Sequence, residues 1–178
     1  MNECSFPNLG ETFFEERLPC GLLLRVTPKP DFSKTYAFLA ANYGAIDTRF
    51  YLNGRPRETP DGVAHYLEHK MFDMPQGNVM QEFTRLGGSP NAFTSYAMTA
   101  YHVQCTQRWE ENLTLLLQFV STPYFTEESV EKERGIIAQE LRMYEDNADS
   151  RMYENLFSIL YDHHPVRKPI AGTVESIA

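Results

Sequence analysis

The order of apolar and polar positions divides the chain into strand-like and helix-like stretches. "TFFEERL" and "GLLLRVTPK" flank the turn residues "PCG" and predict a hairpin. "KTYAFLAANYG" predicts a third strand that ends at Gly44. Residues 1–11 hold no sustained period and are expected to be a loose lead-in, and "YLNGRPRETPDG" is polar and turn-rich, which predicts a loop. A helix is expected to start near Thr59 or Asp61, with Pro60 tolerated in its first turn. "NVMQEFTRL" predicts a short helix stopped by Gly87 and Gly88. "NAFTSYAMTAYHVQCT" predicts a strand in which Tyr101, Val103 and Cys105 face one side, His102 and Gln104 the other.

Helical periodicity then takes over. "QRWEENLTLLLQFVS" predicts one helix, Glu127 to Asp146 a long one capped by Thr126, and residues from about 150 to 161 a third that "HHPVRKP" breaks. Thr173 stands where a further helix would be capped. Strands alternate with helices, yet the strands come in hairpin-like pairs. The expected fold is therefore α+β, with a mostly antiparallel sheet of about five to six strands and helices packed on one face.

Composition narrows the function classes. A chain of 178 residues with 42% hydrophobic residues can build one core, and the expected organisation is a single domain over residues 1–178. Sixteen basic against twenty-four acidic residues, with no basic run, argue against a nucleic-acid partner. Cys4, Cys20 and Cys105 are odd in number and widely spaced, which fits reduced thiols and a cytoplasmic protein. No stretch reads as a signal peptide or a membrane span, so no membrane partner is expected.

The chemistry concentrates in "GVAHYLEHKMF". On a helix, His65 and His69 lie one turn apart on one face, so one nitrogen of each can reach a common atom. Glu68 sits on the edge of that face, within reach of a water bound to the same atom. Zinc suits imidazole ligands, and a catalytic zinc takes three protein ligands plus a water whose pKa it lowers to about 7. The bland alternative is a pair of surface or core histidines.

A third ligand has to come from elsewhere. At about 100° per residue, Glu133 falls within about 20° of Glu140 on the long helix, and Ile136, Ile137, Met143 and Tyr144 fall within about 60°. Two carboxylates thus occupy the apolar stripe, where an isolated buried charge is expensive. Either they bind a metal site, with Glu140 as third ligand and Glu133 orienting a histidine or the water, or they pair with buried lysines or arginines. His102, His163 and His164 carry no comparable pattern.

"HYLEH" resembles the inverted zinc motif of the pitrilysin/insulinase family of metallopeptidases. "DGVAHYLEHKMF", "LGGSPNAFTSYAMTAYHV", "EKERGIIAQELRMYEDN" and "HPVRKPIAGTVESIA" resemble family segments in family order, covering residues 20–178. The branch most resembled is the bacterial, processing-peptidase-like one. The resemblance implies His65, His69 and Glu140 as ligands of Zn2+, Glu68 as general base, and Glu133 as an outer acid. It further implies that "NAFTS", with Asn91, Ala92, Phe93 and Thr94, is the edge strand to which an extended peptide substrate adds. Phe72 matches a packing position behind the zinc helix. Family chains are longer, and a second α+β unit closes over the peptide. The chain is thus expected to be an N-terminal catalytic unit, working in the full-length protein as a homodimer or with a paralogue.

The function implied is a zinc endopeptidase acting on short or unfolded peptides. Two rivals stand beside it: a non-catalytic peptide-binding subunit of such a pair, and a hydrolase like S-ribosylhomocysteinase, which would need Cys105 as third ligand.

Overall fold

The computed structural model describes all residues, 1–178, as two compact units, 1–34 and 35–178. The first unit is an antiparallel meander of β1 (Asn2–Phe6), β2 (Glu11–Arg17) and β3 (Leu23–Val26). The expected hairpin is β2–β3. The lead-in is not loose: β1 pairs with β2 along its whole length, Cys4 opposite Phe13. Phe6 stacks on Phe13 at 5.8 Å, and Gly10, at φ 64°, makes the left-handed turn between the strands. Five residues are too few to show a period, which is why the strand is not visible as a pattern.

The second unit is built on the sheet β4 (Thr35–Ala41), β10 (Thr99–Cys105) and β9 (Gly88–Thr94), in that order, with β10 central and both pairings antiparallel. The expected single strand from Asn91 onward is two strands. The turn between them has no glycine or proline; Ser95 makes it, donating its N–H to the Met98 carbonyl while its Oγ accepts from the Met98 N–H. The expected loop at residues 51–62 holds a hairpin of β5 (Arg49–Leu52) and β6 (Arg55–Glu58). Its corner is Asn53-Gly54, both at positive φ, the pair that a two-residue hairpin turn needs. A small ribbon of β7 (Asp73–Met74) and β8 (Gly77–Asn78) follows the first helix.

Five helices complete the unit: α1 (Val63–Met71), α2 (Met80–Arg85), α3 (Trp109–Ser121), α4 (Glu127–Glu145) and α5 (Ala148–Leu160). Thr126 and Ser129 form the capping box that starts α4. The fold is α+β with antiparallel sheets. β10 alternates as expected, its Tyr101, Val103 and Cys105 buried. Tyr101 and Val103 join Val79, Phe83, Leu116 and Phe119 in the main core, and Phe72 packs on Phe119 and Tyr101. A second cluster, Ile137, Leu141 and Ala171 with Tyr66 against it, ties α4 to α1 and to the 170s segment. There Gly62 (φ 89°) passes so close to the Ala171 carbonyl that no Cβ fits.

Lys70 on α1 is only 1% exposed, and its Nζ donates to Asp73 Oδ2 at 2.6 Å, fastening this helix to the β7–β8 ribbon. Removing the anion strands a buried ammonium. Asp73→Asn is expected to destabilise the fold by about 3 kcal/mol, whereas Lys70→Met, similar in volume, strands only the part-exposed Asp73 carboxylate, which water can reach, and should cost less. Urea unfolding midpoints for the two variants check the contrast.

Candidate metal centre

α1 and α4 lie side by side, and the Tyr66 hydroxyl donates to the Val130 carbonyl across them. This packing brings His65, His69 and Glu140 together: one ligand-type atom from each lies within 4.8 Å of the others. His69 Nε2 is 3.3 Å from Glu140 Oε2, and His65 Nε2 is 3.7 Å from Glu140 Oε1. Atoms bound to one tetrahedral zinc at about 2.0–2.2 Å stand about 3.3–3.5 Å apart, so the spacing suits a shared ion better than direct bonds. Burial, with the charge on His69 adding to it, holds His65 below the usual imidazole range, and its Nδ1 is buried with no hydrogen-bond partner. A neutral imidazole, its Nε2 lone pair free for a cation, is what a zinc ligand requires. The donor set therefore fits zinc.

The surroundings support each group differently. His69 Nδ1–H donates to Glu133 Oε1 at 2.9 Å, and that bond raises the His69 pKa. It also fixes the ring so that Nε2 turns to Glu140. Neither glutamate pairs with a lysine or arginine; their partners are the two imidazoles and, for Glu140, the Tyr144 hydroxyl at 2.5 Å. The ion-pair alternative thus loses its partners. Glu68 is buried, which raises its pKa, while the Thr94 hydroxyl donates to its Oε2 at 2.9 Å and moderates the rise.

The α4 stripe differs from the wheel reading. Ile137 and Leu141 are its buried line, whereas Ile136 and Met143 are exposed, so Glu133 and Glu140 sit at the margin facing α1 rather than at the middle. A cleft runs past the histidines, lined by Glu68, Ala92, Thr94, Tyr144, Arg151 and Glu154. Asn91, Ala92, Phe93 and Thr94 form the end of β9, an edge strand. The Ser95–Met98 bond sets the alternation along β9, so Ala92 and Thr94 turn their main-chain groups to the free edge. In keeping with this, the Ala92 N–H is met only by its neighbour's Asn91 Oδ1 at 2.9 Å. Pro90, with no N–H to give, occupies an outward position where none is needed.

Other candidates fall away. Cys105 is at the opposite end of β10 from Thr99, whose partner Thr94 holds Glu68, about 20 Å along the strand. His102 packs at a tilt against Tyr36, ring centres 5.1 Å apart, on the sheet's other face. His163 and His164 lie past the end of α5, and His164 Nδ1 accepts the Val166 N–H. Tyr66 and Tyr144 were not singled out by pattern for these bonds, although Tyr144, at i+4 from Glu140, had the right spacing.

Two histidines and an intervening glutamate on one helix, with a glutamate from a second, define a metallopeptidase-like unit. The family model for insulinase (peptidase family M16) matches residues 53–174, and the chain belongs to this family. It is 49% identical over 175 residues to YmfH of Bacillus subtilis, described as an uncharacterized zinc protease, covering 97% of this chain and 41% of that one. A protein of Rickettsia bellii, likewise described as an uncharacterized zinc protease, is 31% identical over 174 residues, covering 95% and 40%. Among solved structures, an M16-like peptidase from Alicyclobacillus acidocaldarius matches with a TM-score of 0.90 at 42% identity, over 98% of this chain and 40% of that one. A protease from Helicobacter pylori shares the fold, with a TM-score of 0.79 at 22% identity. The chain spans about two fifths of the length of these relatives. No helix is long and apolar enough to cross a membrane.

Glu133→Gln keeps the shape but weakens the acceptor behind His69. It is expected to raise the zinc dissociation constant about 10–100-fold with an unchanged far-UV spectrum. Competition with a chelating dye measures it.

Proposed function

We propose that this chain is the N-terminal catalytic unit of a zinc endopeptidase that cleaves short or unfolded peptides. The observation that carries the reading is the convergence of His65, His69 and Glu140, one ligand-type atom of each within 4.8 Å of the others, with Glu68 beside them. His65, His69 and Glu140 would hold the ion. Zinc, when bound, supplies a positive charge that acidifies water and polarises a peptide carbonyl.

The chain's own residues do the rest. The outward main-chain groups of Ala92 receive an extended peptide as an added strand, displacing the Asn91 side chain from the Ala92 N–H. Phe93 and Thr94 continue that edge. Glu68 takes the proton from the attacking water and hands it to the departing amine. Thr94 holds the Glu68 carboxylate toward the cleft while it does so. Glu133 keeps His69 oriented throughout. The relatives are longer, and a second unit, from the rest of the protein, a second copy or a paralogue, would close over the bound peptide.

The test is cleavage of an unstructured peptide by the full-length protein. Activity should vanish on chelation and return with zinc. Zinc binding with no cleavage of any unfolded peptide would instead favour a peptide-holding subunit.

A further inference from the structure

Three of the four groups at the centre have a fixed neighbour: His69 has Glu133, Glu68 has Thr94, and Glu140 has Tyr144. The first is the outer acid that the motif spacing already suggested. The last is not implied by the motif and bears on a different question, namely which carboxylate oxygen is presented to the ion.

Glu140 has two oxygens in different circumstances. Oε1 accepts the Tyr144 hydroxyl at 2.5 Å, at the short end of charge-assisted O–H···O⁻ bonds. Oε2 lies 3.3 Å from His69 Nε2, the shorter of the two approaches to an imidazole. No lysine or arginine bridges Glu140, and its side chain is 26% exposed; Oε1 has the Tyr144 hydroxyl as its only hydrogen-bond partner, His65 Nε2 standing farther off at 3.7 Å. Tyr144 follows Glu140 by four residues on α4, which places its ring one turn on and on the same face.

We infer that Tyr144 is a positioning residue that occupies Glu140 Oε1 and presents Oε2 as a one-oxygen ligand. This rests on the zinc reading above. It gives the centre its division of labour: one oxygen is held by the protein and the other would be free for the ion. Tyr144 is 42% exposed, so removal of its hydroxyl opens no cavity in the core.

The variant is Tyr144→Phe in the full-length protein, with Glu140→Gln as the companion. Tyr144→Phe should raise the zinc dissociation constant about 10–100-fold. It should also change the visible absorption of the cobalt-substituted protein, as the carboxylate alters its mode of binding. The melting temperature of the metal-free protein should not move, which separates positioning from general stability. A zinc affinity and a cobalt spectrum equal to the parent's, alongside a Glu140→Gln variant that does lose metal, would overturn this inference and leave the zinc reading standing. If Glu140→Gln also keeps its metal, both fall.

Discussion

Glu68→Gln in the full-length protein is expected to bind zinc as tightly as the parent and to lose about 10²–10⁴-fold in kcat/KM for peptide cleavage. That range is what a positioned general base contributes. The substitution is nearly isosteric, and the Thr94 hydroxyl can still donate to the amide oxygen where it now meets Oε2. Only the capacity to accept and release a proton is lost. Because Glu68 is not among the three converging ligand-type residues, metal content should be untouched. Parallel measurement of zinc stoichiometry and of kcat separates the two effects. Cleavage at the parental rate would remove Glu68 from the mechanism, and loss of zinc would show it to be a ligand.

Glu140→Gln is expected to do the reverse. The amide keeps the size of the side chain but removes the only anionic donor of the set, so zinc affinity should fall by more than the roughly 10–100-fold of an outer-shell change. Activity should fall with it and recover only partly at high zinc. The fold should survive, since α4 is anchored by Ile137 and Leu141 and by the Tyr66 bond to Val130. Direct titration of the metal-free variant with zinc measures the loss. Together the two variants form a double dissociation: one keeps metal without turnover, the other loses turnover through metal.

Much of this was legible in the sequence, for identifiable reasons. A motif confined to one helix follows from 3.6-residue geometry alone, and so do the i, i+7 glutamates of α4. The capping residue Thr126 and the alternation in β10 are equally local. The β5–β6 hairpin was read as a loop because its flanks are polar, although Asn53-Gly54 is a strong turn signal. The turn between β9 and β10 was not, because Ser95 makes it with side-chain bonds and not with glycine. The margin position of Glu133 and Glu140 depends on how α1 packs against α4, which no single-helix wheel contains. The grip of Thr94 on Glu68 joins residues 26 apart and appears only once β9 is docked beside α1. The edge-strand role of Asn91 to Thr94 came from family resemblance; the residues themselves read as an ordinary strand.

The most direct measurement is anomalous diffraction at the zinc edge from crystals of the zinc-loaded protein. A single peak is predicted within about 2.0–2.2 Å of His65 Nε2, His69 Nε2 and a Glu140 oxygen. Zinc seated on other side chains, or a centre that omits Glu140, would contradict the account.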